Sequence, residues 1–251
     1  MSKKILAFNW KMYLNDLPQC LNLLEGYEKL SFQEKVSIIT FAPYIFLNDL
    51  VKACSNTVVG SQDISDIDGG SFTGQISGKM LSSFGCRYVL VGHCEARKFL
   101  KQTNMNINAK MVRALENNIM PILCVGYDEK ETAGSLDFQN LENQLISAFE
   151  GIFNNFNSIS ELIIAYEPVW AIGSSTAASI EHISEVSIFI KKVLMEKFGS
   201  SFFGKAKILY GGSVDDTNIA KLNEIEVVDG FLVGRAGLDL DKVKKMVEVL
   251  S

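Results

Sequence analysis

Eight short runs of apolar, largely β-branched residues recur along the chain: Ile5–Phe8, Val36–Phe41, Thr57–Ser61, Arg87–Val91, Pro121–Val125, Leu162–Tyr166, Ala206–Tyr210 and Gly230–Val233. Each is too short for an ordinary helix and nearly all apolar, as strands buried on both faces are. Longer segments with helical spacing lie between them. Leu17, Leu21, Leu24 and Tyr27–Glu28 follow one helical stripe. Ile180, Ile183, Val186, Ile190, Val193, Leu194 and Phe198 follow another, and Leu238, Val243, Met246, Val247 and Leu250 a third. This alternation predicts an α/β fold with a parallel sheet and crossover helices. Eight units in 251 residues take about 31 residues each, the size of a βα repeat in a single closed (β/α)8 barrel with outer helices. An open doubly wound sheet also alternates, but usually with fewer strands. With 4 prolines and no Pro/Ser linker, residues 1–251 are expected to form one barrel domain.

Composition narrows the partners. The net charge of −5 leaves no basic excess for neutralising a phosphodiester backbone, so no nucleic acid is expected. No stretch approaches the roughly 18 apolar residues of a membrane helix, and the first residues are too weakly apolar for a signal-peptide core. Five scattered cysteines, Cys20, Cys54, Cys86, Cys94 and Cys124, without a CxxC pair fit free thiols in a reducing cytoplasm. Only 2 histidines, and neither a GxGxxG nor a Walker loop, predict no metal and no cofactor.

In a closed barrel, chemistry belongs at the C-terminal ends of the strands. The residues closing the runs are Asn9 and Lys11, Gln62, His93 and Glu95, Glu167, Ser213 and the Gly234–Arg235 pair. An amide, an ammonium, an imidazole and carboxylates thus fall where a barrel places reacting groups. His182, inside a helical stripe, reads as an ordinary helix residue.

Segments FNWKM (Phe8–Met12), GSFTGQIS (Gly70–Ser77), VGHCEAR (Val91–Arg97), PILCVG (Pro121–Gly126), AYEPVWAIG (Ala165–Gly173), LYGGSV (Leu209–Val214) and DGFLVG (Asp229–Gly234) occur in that order. In these segments the chain resembles the triosephosphate isomerases, from about Lys4 to Leu250. The resemblance implies interconversion of dihydroxyacetone phosphate and D-glyceraldehyde 3-phosphate through an enediolate, in glycolysis and gluconeogenesis, by a cytoplasmic homodimer. A catalytically impaired barrel relative acting as a binding protein is the alternative; it would be expected to lose the base or the lysine, and both are present.

By this resemblance Glu167 is the base, clamped by Ile172 and Leu232; a carboxylate closed off from water becomes more basic because desolvation disfavours its charged form. His93 is a neutral electrophile and Lys11 a fixed cation near the substrate oxygens. Asn9 orients that lysine, and Glu95 contacts it. Main-chain groups of Gly173, Ser213, Gly234 and Arg235 grip the phosphate, with Asn9 and Lys11 completing the substrate site. The segment Pro168, Val169, Trp170, Ala171, Ile172, Gly173, Ser174, Ser175, Thr176, Ala177 and Ala178 is the lid, latched by Tyr210 and Ser213. Thr73 reaches the neighbouring active site of the dimer.

The chain also departs from the family pattern. Ser174–Ala178 reads SSTAA where TGKTA is common, which puts lid kinetics and phosphate affinity in question. Arg235 stands in for a second glycine of the phosphate loop, and its N–H serves only if φ is negative there. Cys94 replaces a serine that contacts the resting base, so a looser Glu167 is expected. Tyr13 replaces an asparagine. Gln75, Ala96 and Gln102 replace two acids and an arginine, which predicts a neutralised cluster and a less ionic dimer interface.

Overall fold

Every apolar run is a strand in the computed structural model, which describes residues 3–30, 35–127, 137–152, 161–172 and 177–251. The strands are β1 (Lys4–Asn9), β2 (Val36–Ala42), β3 (Val58–Ser61), β4 (Tyr88–Val91), β5 (Met120–Val125), β6 (Leu162–Tyr166), β7 (Ala206–Tyr210) and β8 (Gly230–Val233). All pair in parallel, each with its neighbours in sequence, and β1 closes on β8 through Ile5↔Gly230 to Phe8↔Val233. The sheet is therefore the closed eight-stranded barrel that the repeat predicts.

The outer layer consists of α1 (Leu17–Leu30), α2 (Leu47–Ala53), α3 (Gly78–Ser83), α4 (Cys94–Phe99), α5 (Asn104–Glu116), α6 (Phe138–Phe149), α7 (Ile180–Phe198), α8 (Ser200–Phe203), α9 (Ile219–Leu222) and α10 (Leu240–Leu250). Among the described residues, no helix is long and apolar enough to cross a membrane.

The alternation of side chains along a strand divides the apolar residues into two cores. Ile5, Ala7, Ile39, Phe41, Ile122 and Ile163 point inward and fill the barrel with their counterparts on other strands. Leu6, Phe8, Val89, Leu123 and Ile164 point outward and pack under the helices, against residues such as Leu24, Met111, Leu145 and Ile190. Each fully buried aliphatic side chain contributes roughly 1.5–3 kcal/mol, so a strand buried on both faces, as all five residues of β6 are, resists displacement. This rigid sheet is the frame that holds the strand-end groups.

The helical stripes hold with one shift. On α7, Ile183, Val186, Ile190, Val193 and Leu194 are buried as the spacing predicts. On α1 the buried face is Cys20, Leu23, Leu24 and Tyr27, while Leu17 and Leu21 are only half-buried. Two causes rotate that face. Cys20 packs as a small hydrophobe. Tyr27 is fixed by its hydroxyl, which donates to the Gly237 carbonyl and accepts from Trp10 Nε1 at 3.2 Å. At the C-terminus, Leu238 belongs to a short 3-10 turn, Arg235–Leu238, and α10 begins only at Leu240.

Candidate active site

The end of β1 supplies an amide and a cation. Asn9 is buried, and its Oδ1 accepts from the main-chain N–H of Lys11 at 3.0 Å. That bond helps hold Lys11 at φ 50°, a left-handed conformation that a residue with a Cβ adopts only when its surroundings impose it. Gln62, just past β3, fastens the same turn from the other side. Its Nε2 donates to the Lys11 carbonyl at 3.0 Å and to the Phe41 carbonyl at 3.1 Å. The aimed lysine then meets Glu95, with Nζ 2.7 Å from Oε1.

The end of β4 fixes an imidazole and its tautomer. His93 is the N-cap of α4, and its Nδ1 accepts from the Glu95 N–H at 3.2 Å. A ring nitrogen that accepts carries no proton, so in the neutral ring the proton sits on Nε2. Nε2 lies 3.1 Å from Glu167 Oε1. In that tautomer the imidazole aims its N–H at the carboxylate.

Glu167 follows β6 directly and is 2% exposed. Its N–H donates to the Val125 carbonyl at 2.8 Å, which carries the β5–β6 ladder one residue further. Its Oε2 accepts from the Cys94 main-chain N–H at 2.8 Å. Two glycines make room for it. A Cβ on Gly126 would lie 1.8 Å from the Glu167 carbonyl oxygen, and one on Gly211 would lie 3.2 Å from Glu167 Cγ. The carboxylate is therefore anchored by a main-chain amide. The Cys94 thiol faces His93 Nδ1 at 3.9 Å instead. The looser base expected from Cys94 is not what the geometry gives. Burial, reinforced by the Glu167 charge, also pushes the Cys94 thiol far up, so it stays protonated and non-nucleophilic.

Asn9, Lys11, His93, Glu167, Ile172, Ser213, Leu232, Gly234 and Arg235 all line one cavity of about 990 Å³. Glu95, half-exposed, reaches the site through Lys11. Gly173, Ser174, Ser175 and Thr176 lie outside the described residues. The described flanks of the lid are bonded to the body of the protein. Ser213 Oγ donates to the Ala171 carbonyl at 2.8 Å, and Tyr210 OH accepts from the Ala178 N–H at 2.9 Å. Both residues expected to latch the lid thus bond to the described flanks of that segment.

Arg235 has no positive φ, so its side chain imposes no backbone strain on the phosphate loop. Gln75, Ala96 and Gln102 do not form the neutral cluster expected of them. Gln75 is exposed, whereas Gln102 Nε2 donates at 2.8 Å to Asp63, which is ion-paired with buried Lys110 at 2.7 Å. The charged pair beside Gln102, Asp63 and Lys110, is one that the sequence reading did not single out.

Three further roles escaped the sequence. Gln62 stood out only as a polar strand end. Arg97 donates to the carbonyls of Gly92 at 2.9 Å and Cys124 at 3.1 Å, tying β4 to β5 beneath His93. His182 is indeed a residue of α7, but its Nε2 lies 2.7 Å from Tyr166 OH and its ring meets Trp170 of the lid edge-on. Among the described residues, His93, Cys94 and Glu167 are the one group with metal-ligand chemistry.

The comparisons agree with this geometry. The sequence pattern of the Triosephosphate isomerase family matches residues 4–250. The triosephosphate isomerase of Alkaliphilus metalliredigens is 35% identical over 96% of this chain and 97% of its own. That of Moorella thermoacetica is 36% identical over 95% of both chains, and that of Coxiella burnetii (strain Dugway 5J108-111) is 34% identical over 97% of this chain and 96% of its own. With a barrel of the right closure, a carboxylate facing an imidazole donor, and a match along nearly its full length, the chain belongs to the triosephosphate isomerase family.

Proposed function

We propose that Glu167 is the base in the reaction this chain catalyses, the interconversion of dihydroxyacetone phosphate and D-glyceraldehyde 3-phosphate in glycolysis and gluconeogenesis. The supporting observation is a buried carboxylate within 3.1 Å of an imidazole nitrogen, with a lysine on the same cavity wall. Glu167 takes the proton from the carbon beside the carbonyl and returns it to the adjacent carbon. His93 Nε2–H donates to the oxygen on which charge develops, and Lys11, oriented by Asn9 and steadied by Glu95, stabilises the enediolate. Ser213, Gly234, Arg235 and the Gly173 region hold the phosphate through main-chain N–H groups. Such a site binds a dianion whatever the net charge of the protein, because aimed amides set the local field. Closure of residues 168–178 excludes water from the intermediate.

Running the reaction in D2O tests the proton-transfer path. Dihydroxyacetone phosphate formed from unlabelled glyceraldehyde 3-phosphate acquires solvent deuterium at C1. Protium at C1 is the same proton returned before it exchanges; deuterium at C3 instead of C1 overturns the path, and absence of turnover overturns the function.

The working unit proposed is a cytoplasmic homodimer, with Thr73 of one protomer near the neighbouring active site. Met12, Ile45, Phe72 and Phe99, on the loops after β1, β2, β3 and β4 or the short helix there, are 87%, 79%, 49% and 69% exposed. Neighbouring strands bring these loops together on one side of the barrel mouth, and apolar exposure of this kind marks an association surface. Sedimentation equilibrium is expected to give twice the 27.8 kDa chain mass; a monomer at assay concentration refutes the dimer. Five unpaired thiols suit the reducing cytoplasm, which cell fractionation checks.

A further inference from the structure

We propose that the Arg235 side chain is a strut that positions Lys11, acting through Tyr13. Trp10, Lys11, Met12 and Tyr13 form one tight turn, closed by the Tyr13 N–H donating to the Trp10 carbonyl at 3.2 Å. Lys11 sits inside it at φ 50°, a conformation the turn must impose. Asn9 and Gln62 fasten the inner half of the turn. Within the single chain the outer half is open, with Met12 87% and Tyr13 42% exposed. Arg235 grips that outer half. Its guanidinium carbon stands 5.4 Å from the Tyr13 ring centroid, and one guanidinium nitrogen is 3.4 Å from the Tyr13 hydroxyl.

A long surface side chain is ordinarily too mobile to brace anything. Here the root of the side chain is fixed. Arg235 opens the 3-10 turn Arg235–Leu238, and Gly237 within that turn accepts from buried Tyr27. A Cβ on Gly237 would fall 2.5 Å from the Phe8 ring, so the turn lies hard against β1. The same β8 loop approaches the lysine directly, since a Cβ on Gly234 would lie 4.0 Å from Lys11 Cε. The strut thus runs from a rigid anchor to the closing residue of the Lys11 turn. Glu95 holds the ammonium at its far end. Both strut residues stand where the family pattern has other side chains, so this brace belongs to the present chain.

The inference rests on Lys11 being the substrate cation, and the test keeps the two apart. Arg235→Ala retains the main-chain N–H and is expected to lower kcat/KM about threefold, carried mainly by KM, the size of an exposed cation–aromatic contact. Tyr13→Ala should give the same loss, and the double variant no more than either single change. On a Lys11→Ala background, Arg235→Ala should have no further effect, since nothing remains to be positioned. Arg235→Lys should recover part of the loss. Additive losses at positions 13 and 235, or an undiminished Arg235→Ala effect on the Lys11→Ala background, would make Arg235 an independent charge and overturn the strut. An Arg235→Ala variant of unchanged kcat/KM would overturn it too. A Lys11→Ala variant of unchanged kcat/KM would instead remove the assignment of Lys11, and the strut with it.

Discussion

Glu167→Gln lowers kcat by about 10²–10⁴-fold, the range a positioned base contributes, while KM changes far less. The change is nearly isosteric, so packing against Gly211 survives. An amide still has an oxygen to accept from the Cys94 N–H at 2.8 Å. It has no basic oxygen with which to take a proton from carbon. The groups proposed to bind substrate, Lys11 and main-chain N–H groups, are left in place by the variant, which is why the loss is expected on kcat. A coupled assay of glyceraldehyde 3-phosphate conversion, read against the wild type, decides it. Turnover within a few-fold of the wild type would remove Glu167 from the role of base.

Gly126→Ala produces the second large effect, through position alone. The added methyl would stand 1.8 Å from the Glu167 carbonyl oxygen and 2.7 Å from its carbonyl carbon, both main-chain atoms of a buried strand end. No side-chain rotation relieves such a contact, so the end of β6 must move away from β5. Overpacking of this kind costs about 1–3 kcal/mol or more. Displacing a catalytic group by about 1 Å can cost roughly a hundredfold in rate. A melting temperature several degrees lower and kcat at least tenfold lower are expected together. A variant with wild-type melting and turnover would show that β5 and β6 do not hold the base where the geometry implies.

The barrel was legible in the sequence because buried parallel strands leave little choice of residue. Val, Ile and Leu runs such as Leu162–Tyr166 fill both faces and end where a polar group begins. The strand-end groups were legible for the same reason: Asn9, His93 and Glu167 stand out against apolar neighbours. The face of α1 was misjudged because Cys20 looks neutral in a pattern of leucines and because a long-range bond from Tyr27 to Gly237 sets the rotation. Contacts of this range carry no local signal. The same holds for the Gln102–Asp63–Lys110 group, whose members are 39 and 47 positions apart, and for His182 against Tyr166. Cys94 was misread for a different reason. The position was recognised, but the bond to the base is made by its main-chain N–H, which any residue supplies.

The pairing of β1 with β8 sets an order of assembly. Asn9 and Lys11 leave the ribosome well before the loop that faces them; Tyr13 and Arg235 are 222 positions apart. The stretch from Ile5 to Gly230 must be synthesised before β1 finds its second neighbour. Until then the lysine has no phosphate loop opposite it, and the outward face of β1 lacks the turn that covers Phe8. Completing the substrate site and sealing the sheet are thus one late event.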